Sequence, residues 1–325
     1  MKAQGTVKRL LGSRLLRWVV VVLAVAVGGY EISTEWHQVS HSLGQIGALA
    51  AFEALLATFA MQFANLKVWQ ALLAGLGSPL RTTVAARILL IGQLGKYVPG
   101  AVWPILAQME LGATAKVPRP RSASTSVLAM LISLWAGLVT AMVTLPFAGH
   151  SSDYLWIFLL VPVLAVGMHP KVLNPLLNKL FKLARRSPLE TPVTGRVLVV
   201  ALAWQFTGWI FYGLQVWILV EKFGASPGRA ALLALGGFAF AWCIGFVIVF
   251  LPAGAGIREL LLIAALTPLI GTGSATAVAL VSRAVTTIND LTVAGVAAFR
   301  RPRLTTPKSS EGVEDTAHSD PVPSS

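Results

Sequence analysis

The chain has 325 residues, 55% of them hydrophobic and only 12% charged, with a mean hydropathy of +0.72, which excludes an ordinary soluble composition and indicates a polytopic membrane protein. The net charge of +13 does not call for nucleic acid, because most of the 26 basic residues cluster between apolar runs, as the positive-inside rule arranges them. The one cysteine, Cys243, lies inside an apolar run, so a disulfide framework and a thiolate metal site are excluded and a packing role is expected.

The first element is an apolar run at 15–32, preceded by Lys2, Lys8, Arg9, Arg14 and Arg17. It has the basic front of a signal sequence but no small-x-small cleavage site, and is read as an uncleaved first helix. A second span follows at 46–66, with Lys67, Arg81 and Arg87 after it. Runs of roughly 18 to 25 residues are what crossing about 30 Å of hydrocarbon requires. The next stretch, 83–114, is too long for one crossing and is broken at its centre by Pro99-Gly100, within GQLGKYVPGAVWPILAQ at 92–108. Basic clusters on both sides place both of its ends in the cytoplasm. Each half is about 14 residues, or about 21 Å of helix, enough to reach the midplane but not to cross. A re-entrant hairpin is expected, since a Pro-Gly break at that depth is tolerated only where protein or trapped water satisfies the freed backbone groups.

Lys116, Arg119 and Arg121 then precede spans at 122–147 and 154–168. Between 171 and 186, Leu173, Leu176, Leu177, Leu180 and Ala184 recur at helical spacing opposite Lys and Arg. That pattern predicts an amphipathic helix in the cytoplasmic headgroup layer, the plainer alternative being a basic connecting loop. A span at 196–220 leads to a second broken stretch, 230–270, with its break at Pro252-Ala253-Gly254-Ala255-Gly256. Threading from a cytoplasmic N-terminus puts both ends of this stretch outside, although its first arm, 230–250, is about 31 Å long and so long enough to cross completely. A last span at 275–298 ends at Arg300, Arg301, Arg303 and Lys308. The tail, 302–325, is rich in Pro, Ser and acids, which predicts disorder.

The predicted fold is all-α and polytopic: about six transmembrane helices plus two broken re-entrant hairpins entering from opposite faces. They form one integral membrane domain, 1–301, with both termini cytoplasmic. Aligning Pro99 with Pro252 divides it into two four-element halves, about 15–148 and 154–300, of opposite orientation. Inverted repeats with interrupted helices are a recurrent plan for moving a substrate across a bilayer.

Ionisable side chains within apolar spans cost at least roughly 2.5 kcal/mol near the centre on insertion scales, so each needs a partner or a task. Lys96 precedes the first break and Arg258 follows the second. Each break starts a new helix whose free N–H groups and positive dipole end face the protein's middle. Together these features predict a dry, positive chamber for a phosphate or other anion, its tips shaped by Pro99, Gly100, Pro252, Gly254 and Gly256. Glu53, Glu110, Glu259 and Asp290 offer the competing role of neutralising the bases. Arg283 and Asp290, seven apart, share one helix face and are read first as structural pairing, with substrate contact the alternative. For Lys96 and Arg258 that order is reversed. Tyr97, Trp103 and Gln108 flank the first break, placed either against a headgroup or in ordinary tip packing. Trp18, Trp36, Trp69, Trp156 and Trp217 sit near span ends, where interfacial anchoring is the expectation. The five histidines lie in loops or the tail without metal-ligand spacing. No P-loop, nucleophile elbow or Asp-x-Asp pair occurs, so no metal, cofactor or catalytic residue is expected.

GQLGKYVPGAVWPILAQ resembles the Gly-Lys-Tyr-x-Pro-Gly-x-x-Trp stretch of the membrane domain of lysylphosphatidylglycerol synthases and of related stand-alone flippase-like membrane proteins. LPAGAGIRELLL, at 251–262, resembles their Pro-x-Gly-x-Gly-x-Arg-Glu stretch. Both motifs occur in the family's order across about residues 15–300, with Pro-Ala-Gly-Ala-Gly where the family more often has two consecutive glycines. The resemblance implies a lipid flippase fold. With no room after the last helix for a soluble aminoacyl-transfer domain, a complete synthase is not expected.

The function implied is a flippase or scramblase, not an enzyme, that moves an anionic or phosphate-bearing lipid, a phospholipid or a polyprenyl-linked one, across the cytoplasmic membrane. Its partner is then a membrane lipid with a phosphate headgroup, with an envelope-biosynthesis enzyme as a further partner and no nucleic acid. The alternatives are a glycosyltransferase using a polyprenyl-phosphate sugar, with Glu259 or Asp290 as its carboxylate, and a non-transporting envelope assembly factor.

Overall fold

A computed structural model gives the structure of the chain and describes residues 36–98, 102–148, 162, 166–183, 192–248 and 254–299. The expected first span at 15–32, most of the span at 154–168, the breaks at Pro99-Gly100 and Pro252, and the tail from 302 lie outside these residues. Among the described residues all regular structure is helical: α1 (Trp36–Gly75), α2 (Thr82–Gly92) running into a 3-10 turn (Gln93–Tyr97), α3 (Trp103–Thr114) and α4 (Arg119–Ala148). Then come α5 (Pro170–Leu183), α6 (Gly195–Val220) with a 3-10 turn (Glu221–Phe223), α7 (Pro227–Val247), α8 (Ile257–Ile270) and α9 (Thr272–Phe299). Gly47, at φ +67 and ψ 167, interrupts α1, a conformation that a residue without a Cβ adopts at little cost, so α1 is two helical segments joined at a kink.

Within the described residues, α1 from Val39, α4, α6 with its 3-10 turn, α7 and α9 are each long and apolar enough to cross a membrane. Four of them coincide with the spans expected at 46–66, 122–147, 196–220 and 275–298. The fifth, α7, is the first arm of the second broken stretch; its 21 residues make about 31 Å of helix, the length of a full crossing. The chain is a multi-pass, all-α membrane protein. Leu49, Phe52 and Leu56 of α1, Ile210 of α6 and Leu291 and Val296 of α9 are exposed, forming an apolar outer face for lipid.

Lipid tails are as apolar as leucine, so such helices hold together through close approach of small residues rather than through burial alone. Ala50, Ala54, Ala57 and Ala64 are buried on α1, and a Cβ on Gly208 of α6 would lie 3.6 Å from the Ala64 methyl. A Cβ on Gly137 of α4 would fall 2.6 Å from the Trp209 ring and 2.7 Å from Cys243 Sγ, so this glycine seats both side chains. Cys243 is buried there.

The arms of the first broken stretch, α2 and α3, pack against each other as a hairpin. At 11 and 12 residues, about 17 and 18 Å, neither arm spans hydrocarbon. A Cβ on Gly95 would fall 2.7 Å from the backbone nitrogen of Pro104, so the arms meet at the tip only because that position is glycine. Arg121, at the start of α4, donates to the Gly77 carbonyl at 3.0 Å and to the Ser78 hydroxyl at 2.8 Å, just before α2. Both ends of this hairpin therefore sit at one end of the bundle. The second hairpin, α7 with α8, closes where Gly245 and Gly254 abut, a Cβ on Gly254 falling 3.2 Å from the Gly245 backbone. Its outer ends lie at the opposite end of the bundle, where Arg229 donates to the Ala148 carbonyl at 2.9 Å and Ser274 meets Ser42 at 3.3 Å.

The packed helix pairs have an internal exchange. Swapping α1 with α6, α2 with α7, α3 with α8 and α4 with α9 turns the set of extensively packed pairs into itself. α1 against α6 maps onto itself, α4 against α7 onto α9 against α2, and α1 against α9 onto α6 against α4. The residues at 170–183 form the amphipathic helix rather than a loop. Leu173 of α5 is buried among Val68, Leu72 and Leu198, and Asn174 exchanges hydrogen bonds of 3.0 and 2.9 Å with the Val193 backbone. Val172, Leu176, Lys171, Lys179 and Lys182 stay exposed.

Single cysteines at Thr114 and Thr272, in a Cys243→Ser background, test the opposed hairpins. An impermeant maleimide is expected to reach Thr114→Cys from one face of oriented vesicles and Thr272→Cys from the other; labelling of both from one face contradicts the arrangement.

Candidate functional site

Both hairpin tips border one cavity of about 240 Å³. The first tip contributes Gln93, Lys96, Tyr97 and Val98, and the second Gly254 and Arg258. Asp290, Arg283 and Thr286 reach it from α9, Gln62, Asn65 and Trp69 from α1, and Gln205 and Tyr212 from α6.

Local sequence sets the first tip. After α2 the chain tightens into the 3-10 turn and stops at Val98, whose φ of −91 and ψ of 133 are the extended values that a residue before proline takes. Lys96, on this turn, places its Nζ 2.7 Å from Asp290 Oδ2. The Tyr97 hydroxyl donates to the same oxygen at 2.7 Å. Asp290 is buried and carries both contacts, whereas the Lys96 side chain keeps 36% of its exposure.

At the second tip, Gly256 holds φ +86 and caps α8. Its N–H donates to Glu259 Oε2 at 2.7 Å, the reach-back of a capping box, so this carboxylate closes the helix N-terminus. The other oxygen of Glu259 lies 3.6 Å from Arg283 Nη1, a charge contact longer than a hydrogen bond. Arg258 is 91% buried by its 9% exposure, and its guanidinium lies 4.9 Å from the centre of the Phe238 ring, a cation–π placement. Phe238 is itself stacked on Tyr212 at 4.9 Å. Among the described residues the guanidinium has no carboxylate within 4 Å.

A layer of amides completes the walls. Gln108 accepts from Trp69 Nε1 at 3.1 Å and from the Ser126 hydroxyl, and its backbone carbonyl accepts from Ser122 at 2.9 Å. Gln62 donates to Gln93 Oε1 at 2.8 Å. The Nε2 groups of Gln93 and Gln205 are buried without an acceptor among the described residues.

The tips thus bring together Lys96, Tyr97, Gln108, Gly254, Arg258, Arg283 and Asp290, with Gly256 and Glu259 just behind. Pro99, Gly100 and Pro252 lie outside the described residues, and Trp103 is half-exposed at the start of α3, away from the cavity. Arg283 and Asp290 share a face of α9 and both make structural pairs, each with a different hairpin tip. Lys96, read first as a substrate contact, makes the ion pair that was its alternative. Other expectations are corrected. Glu110 is exposed and forms a two-pronged pair with Arg119 at 3.0 and 2.8 Å, and Glu53 is exposed on α1, so neither neutralises a buried base. Trp69 is buried and bonded to Gln108 instead of anchoring at an interface, because it faces the hairpin. Gln62, Asn65, Gln93, Gln205 and Tyr212 escaped the sequence reading; the signal was present, since an uncharged amide inside an apolar run also needs a partner.

Among the described residues, the cluster holds three cations, Lys96, Arg258 and Arg283, against two carboxylates, Glu259 and Asp290. Both carboxylates are engaged. The excess positive charge falls on Arg258, which opens on the cavity beside amide donors, an arrangement fitted to receive one anion.

The protein-family model described as lysylphosphatidylglycerol synthase TM region matches residues 9–294. No curated protein matches the chain.

Lys96→Met strands Asp290 and is expected to lower stability by about 1–3 kcal/mol, less than the 3–5 kcal/mol of a fully buried pair because Lys96 is partly exposed. Lys96→Met with Asp290→Asn recovers most of that loss in a double-mutant cycle read by unfolding in detergent. Additive losses contradict the pairing.

Proposed function

This chain belongs to the lysylphosphatidylglycerol synthase transmembrane-region family, and from that premise we propose that it is a flippase or scramblase of the cytoplasmic membrane for a lipid bearing a phosphate headgroup. The observation that carries this reading is the Arg258 guanidinium, which has no carboxylate within 4 Å among the described residues, at the wall of a cavity between two hairpin tips. A charge held within membrane spans without a counter-ion is costly enough to mark a substrate path. The cavity's size suits a headgroup rather than a whole lipid, since drug-sized ligands occupy about 300–1,000 Å³. Lys96 and Val98 both line it and both keep some exposure, so in this reading the headgroup enters past them while the tails stay in the hydrocarbon.

The opposed hairpins and the exchange of packed pairs support an inverted repeat with re-entrant tips, in which alternate loosening of either half exposes the same chamber to either face. Both termini are then cytoplasmic, as the basic clusters ask. An envelope-biosynthesis enzyme supplying or consuming the lipid is the natural partner. The glycosyltransferase reading is weaker, because its two candidate carboxylates are already engaged, Glu259 by the α8 N-terminus and Arg283, Asp290 by Lys96 and Tyr97.

In liposomes holding the purified protein, fluorescent phosphatidylglycerol is expected to exchange leaflets faster than in protein-free vesicles. Arg258→Gln slows exchange at least about tenfold, as expected for loss of a hydrogen bond to a charged group, while Glu110→Gln leaves it unchanged. No exchange of anionic phospholipid, or full activity in Arg258→Gln, overturns the reading.

A further inference from the structure

The charge balance and the orphaned donors of the cavity narrow the substrate class. We infer that the site takes a phosphodiester carrying a single negative charge and discriminates against a diphosphate. This rests on the phosphate-lipid reading above and adds the valence of the headgroup.

Two observations carry it. First, Lys96, Arg258 and Arg283 face Glu259 and Asp290, a surplus of one positive charge, and the surplus sits on a side chain that is 9% exposed. One bound negative charge brings this cluster to neutrality, and a second leaves the same desolvated volume net negative beside Asp290. Second, the donors without acceptors are few and distinct. Gln205, 2% exposed, and Gln93 each present a buried Nε2 with no acceptor among the described residues, and both line the wall that Arg258 shares. A phosphodiester offers two free oxygens, one pair for the guanidinium fork and the amides together, so one such group satisfies all three side chains. Other amides of the wall are already engaged: Gln108 accepts from Trp69 and Ser126, and Gln62 donates to Gln93. Among the described residues no second cationic group lining the cavity is left over for a second phosphate, because Lys96 and Arg283 each contact a carboxylate. Phosphatidylglycerol and polyprenyl-monophosphate sugars share the accepted chemistry; polyprenyl-diphosphate sugars do not.

The test is a binding titration in detergent, read by native mass spectrometry, with short-chain phosphatidylglycerol, a short-chain polyprenyl-phosphate sugar and the matching polyprenyl-diphosphate sugar. At least one of the two monoanionic probes binds, and the diphosphate binds at least about tenfold more weakly than it, the penalty of an unmatched charge in a desolvated site. Gln205→Leu weakens the monoanionic probe, and Arg258→Lys, which keeps the charge, preserves the preference for it over the diphosphate. Equal or tighter binding of the diphosphate overturns the inference, as does binding of none of the three or indifference to Gln205→Leu. Because binding is scored without transport, a protein that selects the monoanion yet moves no lipid refutes the flippase reading alone. One that moves lipids but prefers the diphosphate refutes only this inference.

Discussion

Charge inside hydrocarbon has to be matched, and in this protein the last helix does the matching. Asp290 and Arg283 sit two turns apart on one face of α9, and each reaches a different hairpin tip: Asp290 takes Lys96 and Tyr97, Arg283 faces Glu259. Both contacts thus cross from a tip to α9. The tips hold their positions in the bundle's interior because α9 spans the distance between them, and the cavity is the space left where they approach.

The set of packed helix pairs maps onto itself under the exchange, but the charges do not. Under the exchange of helices α4 stands where α9 stands in the other half. It secures the second arm of its hairpin with neutral groups, Ser122 and Ser126 on Gln108, where α9 uses Arg283 on Glu259. The glycines follow the symmetric scheme: Gly92 and Gly245 each stand seven residues before a break and each lies against the returning arm, at Gln108 and at Gly254. The chemistry is laid onto that scaffold unevenly, and Arg258 is where the imbalance collects. Glu259, next to it in sequence, turns back to the Gly256 N–H instead of pairing with it, so a helix cap removes the nearest counter-ion from the cavity.

Much of this was legible from residue order. Hydropathy located the spans at 46–66, 122–147, 196–220 and 275–298, the breaks marked the two hairpins, and the position of Lys96 and Arg258 beside those breaks put them at the tips. Gly256 followed three residues later by Glu259 is also a capping pattern readable without a structure. What residue order does not contain is which face of one element meets which face of another. Seven-residue spacing placed Arg283 and Asp290 on a common face and in structural pairing, yet their partners lie on segments far away in sequence, so residue order could not name them. Trp69 illustrates the same limit: a tryptophan near a span end reads as an interfacial anchor until the second arm of the hairpin brings Gln108 to its indole. The cavity's amides were passed over because they carry no charge, although burial makes a similar demand on them for partners.

The central claim is that Lys96 and Arg283 contact carboxylates directly while Arg258, among the described residues, has none within 4 Å. Thermal unfolding of Lys96→Gln, Arg283→Gln and Arg258→Gln, each purified in detergent without added lipid, addresses it most directly. Removing a paired base strands a carboxylate, so Lys96→Gln and Arg283→Gln unfold below the wild type. Removing an unbalanced buried charge relieves a desolvation cost, so Arg258→Gln unfolds at or above the wild-type temperature. An Arg258→Gln protein that loses as much stability as Arg283→Gln would show that Arg258 has a structural counter-ion, and would contradict the account.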